Sequence, residues 1–219
     1  MSHYVLALSW QPAFCEFNAE RPECRELDSA DFAASNLTVH GLWPNDRPGG
    51  GPSYCRVDTE MKALDEAKNW CELPEPKISA KTRAALSSAM PGATSCLDRH
   101  EWIKHGTCAG TDAEVYFADT LRLAKALQTT PLNQVIAVNV GRHITPQQLR
   151  NAFEAAFGAG SSKALTLVCT ERNGRRYLAE IRVALKQDGL KGSLEGNDLY
   201  LEGAAADNCG EDMWVDSAG

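Results

Sequence analysis

Leu165–Leu185 reads LTLVCTERNGRRYLAEIRVAL. Two runs rich in β-branched and apolar residues flank Asn173-Gly174, the dipeptide that closes a two-residue hairpin of the primed type. Tyr177, Ala179, Ile181, Val183 and Leu185 alternate down the second run, which predicts a strand with one apolar face. Outward from this hairpin, Tyr4–Trp10 also alternates, with Tyr4, Leu6, Leu8 and Trp10 on one side. Leu37–Leu42 predicts a further strand, stopped by Trp43-Pro44. Helical signals lie between these ends: Ser79–Met90 halted by Pro91-Gly92, a capping box Thr111-x-x-Glu114 opening a helix to about Gln128, and a second box Thr145-Pro146-x-Gln148. The last helix carries Leu149, Ala152, Phe153 and Ala156 on one face and stops at Gly158. Strands at both ends and helices in the middle predict an α+β fold with one mostly antiparallel sheet, in a single domain over 1–219.

Composition supports this and excludes alternatives. The chain is 219 residues, 43% hydrophobic and 23% charged, which excludes a disordered chain, a collagen-like fibre and a coiled coil. No apolar run has the roughly 18 residues that a membrane-spanning helix needs. The net charge of −7 argues against a nucleic-acid partner at first sight. Yet seven acids (Glu195, Asp198, Glu202, Asp207, Glu211, Asp212 and Asp216) follow Lys191, the last base, leaving 22 acids against 22 bases in the rest. The stretch reads as a solvated tail on a neutral body. Arg47–Ser53, RPGGGPS, reads as a loop.

Eight cysteines, none in C-x-x-C spacing, predict four disulfides rather than a metal site, and an oxidising compartment such as the periplasm or the cell exterior. The chain shows no secretory leader, so it reads as a mature form, with Met1 added at its start and His3 also vector-derived. Asn36-Leu37-Thr38 is a glycosylation sequon of little weight.

Chemistry concentrates in two segments, Leu37–Pro44 (LTVHGLWP) and Asp98–Cys108 (DRHEWIKHGTC). On a helix of about 100° per residue, His100, Glu101, Lys104 and His105 share an arc of about 140°, with Cys108 inside it, placed to pin that face through a disulfide. His100-Glu101 begins a zincin-like H-E-x-x-H, but Lys104 stands where the second histidine belongs and would repel a metal ion. A solvated helix face explains Glu and Lys but has no use for two imidazoles. Two histidines and a lysine suit phosphoryl transfer without a metal: an acid, a base, and a cation for the developing charge. RNA supplies its own nucleophile, the 2′-hydroxyl; DNA lacks it and should be inert.

LTVHGLWP and HEWIKHGTC resemble the two active-site segments of the ribonuclease T2 family, secreted base-nonspecific ribonucleases, and LALSWQPAFC resembles that family's N-terminal strand. The bacterial periplasmic ribonuclease I branch is the most similar, judging by the MPGATSCLDR lead-in. The resemblance implies an endoribonuclease that cleaves single-stranded RNA with little base preference, through a 2′,3′-cyclic phosphate to 3′-phosphate ends, with no cofactor and no metal. It implies His105 as base, His40 as acid, Lys104 and Glu101 at the phosphate, and His100 as an auxiliary phosphate contact, the most replaceable of the five. Trp43 is then a stacking platform for a base or else a core tryptophan. Asn45, where some relatives have Asp, and Gln11 are further base-binding candidates. It also implies the pairs Cys15–Cys24, Cys55–Cys108, Cys71–Cys96 and Cys169–Cys209, the middle two being exchangeable. Arg172, Arg175 and Arg176 either track a phosphate backbone or form a solvated turn, and His143 reads as a surface residue. A monomer acting on RNA, away from membranes, is the expected state. The rivals are a metalloenzyme and an inactive relative acting as a binding protein.

Overall fold

In the computed structural model, residues 2–47 and 50–219 are described; Met1 and the Pro48-Gly49 pair of the predicted loop lie outside them. The chain runs β1 (His3–Ser9), α1 (Gln11–Phe17), α2 (Pro22–Arg25), α3 (Phe32–Ser35), β2 (Thr38–Asn45), α4 (Thr59–Glu66), α5 (Ala80–Ala89), α6 (Leu97–Lys104), α7 (Ala113–Gln128), α8 (Pro131–Ala137), β3 (Arg142–Ile144), α9 (Pro146–Phe157), β4 (Leu165–Arg172), β5 (Arg175–Lys186) and β6 (Met213–Val215). The sheet order is β2-β1-β5-β6-β3, with β4 also paired to β5. Every pairing is antiparallel except the short β5–β6 contact. This is the predicted α+β architecture.

The hairpin forms as read, with Asn173 and Gly174 both at positive φ (53° and 76°), as a type I′ turn requires. Its second strand is buried on both faces, since Glu180 and Ala184 are buried as well as Ile181 and Val183. Trp43-Pro44 does not stop β2, which continues to Asn45. Pro44 is tolerated because β2 is an edge of the sheet, where a missing N–H leaves no ladder bond unmade. Against β1 and β2 packs α7, whose Tyr116 hydroxyl donates to Leu42 O at 2.9 Å. Its cap is Asp112, accepting from Val115 N, rather than Thr111; Glu114 instead accepts from Ser79 and Thr82 at the start of α5. The capping box of α9 forms, and Leu149, Ala152 and Phe153 face the core, but Ala156 is exposed because the apolar arc is narrower than the sequence suggests.

Both ends of the chain are built into the fold. His3 is fully buried in β1, with its ring stacked on Tyr200 at 4.8 Å, so it belongs to the fold. The acidic C-terminal stretch is not a free tail. Asp207 pairs with Arg150 and accepts from Leu167 N, Asn208 brackets the backbone of Cys169, and β6 inserts between β5 and β3. The four disulfides are Cys15–Cys24, Cys55–Cys108, Cys71–Cys96 and Cys169–Cys209, as the resemblance implies.

Candidate active site

Two register irregularities set up the site. Ala7 pairs with Gly41 but Leu8 with Val39, so His40 is the extra residue of a β-bulge. Val168 pairs with Glu180 but Cys169 with Leu178, which makes Ala179 the extra residue on β5. The bulge at Ala179 also turns its carbonyl to accept from Trp10 N at 2.8 Å. Across β1, His40 and Glu180 meet: Nδ1 of the imidazole makes a short contact with Oε2 of the carboxylate. An ionised carboxylate only accepts, so Nδ1 carries the hydrogen and Nε2 is left facing the cleft. Glu180 Oε1 accepts from Arg182 Nε at 2.5 Å.

The remaining groups come from α6. Its N-cap is Cys96, in the left-handed backbone region (φ 62°) and bonded to Cys71. The helix ends at Lys104, with His105 as its cap; a 3₁₀ turn then carries Gly106 to Cys108. The single continuous helix to Cys108 is therefore corrected. The reason lies in Gly106, where a Cβ would stand 2.3 Å from the Trp102 ring, so the turn folds back over that indole. Cys108 does pin the segment, through Cys55.

Glu101 is 1% exposed. Its Oε2 accepts from Trp43 Nε1 at 2.8 Å, while Oε1 has no hydrogen-bond partner among the described residues and lies between His40 Nε2 (3.6 Å) and His100 Nε2 (3.8 Å). Burial pushes this carboxyl up to about 7, against the pull of His40 and Trp43. It lies that close to β2 only because residue 41 is glycine: a Cβ there would sit 1.9 Å from Oε2.

The three imidazoles have different surroundings. His40 is desolvated, but Glu180 and then Glu101 outweigh that and raise its pKa above the ordinary value. His100 donates from Nδ1 to buried Asp65 at 2.7 Å, whose other oxygen accepts from the Tyr54 hydroxyl, and it stacks on Trp70 at 4.5 Å. Burial, with Lys104 and His40, holds it below the usual range despite Asp65. His105 has no carboxylate partner among the described residues; burial, then Lys104, His100 and His40, depress it to about 3. Lys104 likewise has no acidic partner among them.

Trp43 is half-buried and wedged among these groups. Its ring meets His40 edge-on at 5.1 Å, lies tilted against His105 at 5.4 Å, and carries the Arg182 guanidinium 5.0 Å from its centroid. Two cavities open on either side. One, of about 290 Å³, reaches from His40 past Gln11, Phe14 and Phe17; the other, of about 240 Å³, holds Asn45 with Trp43, Lys104 and His105. Gln11 is buried, with Nε2 3.5 Å from Cys15 Sγ. His143 is at the surface, paired with Asp212. The hairpin arginines are engaged within the chain: Arg172 with Glu16, Arg175 over Trp214, and Arg176 with Glu171 and the Cys209 carbonyl.

The predicted residues His40, His100, Glu101, Lys104, His105 and Trp43 thus converge. Glu180, Arg182, Asp65 and Tyr54 are also part of the cluster, and sequence reasoning misses them. Glu180 and Arg182 alternate with Ile181 and Val183, and so register in the pattern only as the wet face of a strand. Asp65 has no sequence signal.

The sequence and the fold both have counterparts among known proteins. The Ribonuclease T2 family profile matches residues 1–195, and the chain belongs to that family. It is 34% identical to Ribonuclease I of Escherichia coli (strain K12), across 99% of this chain and 86% of that one. The Extracellular ribonuclease LE of Solanum lycopersicum is 30% identical over 57% of this chain and 53% of its own. Among solved structures, ribonuclease MC1 from the seeds of bitter gourd superposes with a TM-score of 0.62 at 21% identity, covering 98% of this chain and 100% of that one. Ribonuclease NT in complex with 5′-AMP gives 0.59 at 19%, covering 99% and 98%. The protein is an endoribonuclease of this family.

Proposed function

We propose that the protein cleaves single-stranded RNA, with little base preference and without a metal, by intramolecular attack of the 2′-hydroxyl. His105, neutral and paired with no carboxylate among the described residues, takes the 2′-proton as the 2′-oxygen bonds to phosphorus. The P–O5′ bond breaks, and His40 Nε2 protonates the leaving oxygen. The 2′,3′-cyclic phosphate is then hydrolysed with the roles exchanged, leaving a 3′-phosphate. Lys104 stabilises the pentacovalent charge; Glu101 and His100 flank the phosphate. Gln11 in one cavity, and Trp43 with Asn45 in the other, contact the two bases.

One observation carries this reading: a carboxylate holds Nδ1 of His40, whereas His105 has a lysine and two imidazoles as its charged neighbours. The two histidines are thereby biased to opposite protonation states, as an acid and a base require. A metal reading has one point in its favour, since ligand atoms of His100, Glu101 and His105 lie within 4.8 Å of one another. The Lys104 ammonium beside them opposes a cation. Four disulfides support an oxidising location, periplasmic or extracellular, and among the described residues no helix is long and apolar enough to cross a membrane. We take the working unit to be a monomer of one domain.

The test is incubation with RNA and with DNA, each with and without EDTA. RNA should be degraded to cyclic and 3′-phosphate ends regardless of EDTA, and DNA should survive. Cleavage abolished by EDTA would place a metal at the site; intact RNA would make the chain a binding protein.

A further inference from the structure

Arg182 is the one residue that lines both cavities flanking the histidines. Its position on β5 is fixed from two directions. Nε donates to Glu180 Oε1, and the guanidinium plane lies over the Trp43 ring. The side chain is about a third exposed, and neither Nη has a hydrogen-bond partner among the described residues. Those nitrogens leave up to four N–H donors in a rigid fork, on a residue that borders both cavities.

A dinucleotide with one base in each cavity must carry its phosphodiester across that divide. His40 and Glu180 belong to one cavity, His105 and Lys104 to the other, and Arg182 to both. We infer that Arg182 is a second phosphate-binding cation of this ribonuclease. It contacts the bridging phosphate through its Nη donors, while Glu180, held at Nε, sets its fork and orients His40 with the same carboxylate. The inference rests on RNA being the substrate but not on the assignment of acid and base. A planar fork satisfies two phosphate oxygens at once, which the ammonium of Lys104 cannot do.

Binding without chemistry tests it. A dinucleotide carrying 2′-O-methyl groups cannot be cleaved, and its affinity is measured by calorimetry across a salt series, beside that of the two free nucleosides. Arg182→Ala should weaken dinucleotide binding by about ten- to a hundred-fold and leave nucleoside binding unchanged. The salt dependence of dinucleotide affinity should become shallower, because Lys104 is then the one cation left of the two at the phosphate. Arg182→Lys, which keeps the charge and the tether but not the fork, should lie between. Unchanged dinucleotide affinity with a shifted pH–rate profile would overturn the inference and leave Arg182 as a tether for Glu180. Equal loss for nucleosides and dinucleotide would overturn it as well, by showing that the cavities had collapsed. If the wild type binds the dinucleotide through Arg182 yet cleaves no RNA, the cleavage reading falls and this one stands.

Discussion

His40 and His105 are chemically the same side chain, and their difference comes from what stands behind each ring. Glu180 accepts from His40 Nδ1, which stabilises the imidazolium and raises its pKa; burial and neighbouring cations depress His105 to about 3. With the acid on His40 and the base on His105, activity should be sustained across the mildly acidic range and be lost on the alkaline side as His40 gives up its proton. Glu180→Gln removes the anion but keeps the shape. The His40 pKa then falls, and the alkaline limb of kcat/KM moves to lower pH; a profile that stays in place would show Glu180 to be structural. His40→Ala and His105→Ala should each cost at least the ~10²–10⁴-fold typical of a lost acid or base. Near-wild-type single-turnover rates in either would remove its role.

At the scale of elements, the site depends on α6 lying hard against β2. Gly41 permits the approach, because any Cβ would overlap the Glu101 carboxylate. Gly41→Ala should therefore push Glu101 and Trp43 apart and cost about 1–3 kcal/mol by overpacking. Activity should fall further than that loss alone explains, a comparison made by urea unfolding beside kcat. Placing α6 on a helix brings its charged groups onto one arc, and its histidines stand out by residue type. Its end has a signal that the arc ignores: Gly106 follows the His105 cap, and the lack of a side chain there lets the turn close over Trp102. The partners of the histidines are not legible in the sequence. Alternation assumes one residue per register position, and the bulges at His40 and Ala179 break that rule where the chemistry sits. Glu180 and Arg182 read as the solvent side of an antiparallel strand, because such sheets commonly have one wet face. Here the cleft covers that face.

For the whole molecule, the amount of charge is legible in the sequence and its placement is not. All of the −7 falls after Lys191, but those residues include a sheet strand, a disulfide partner and the Asp207–Arg150 pair. Local composition carries no sign of long-range pairing, so a stretch without helical period or long alternation reads as solvated. The body it packs on is neutral, which predicts weak, salt-tolerant attraction to RNA beyond the few cations at the phosphate. The two roles of the stretch, fold and charge, can be separated. Ending the chain after Lys191 removes β6 and opens the Cys169–Cys209 bond, which alone contributes about 2–5 kcal/mol; the truncated chain should fail to give a cooperative unfolding transition. Glu202 and Glu211 are both exposed and have no side-chain partners among the described residues, so replacing them by Gln removes two charges and leaves the packing intact. Stability in urea should then stay within about 0.5 kcal/mol of wild type, and KM for RNA should keep its shallow salt dependence. A truncated chain that unfolds cooperatively at the wild-type midpoint would restore the solvated tail, because in that case the disulfide, the inserted strand and Asp207 would together contribute nothing to the fold.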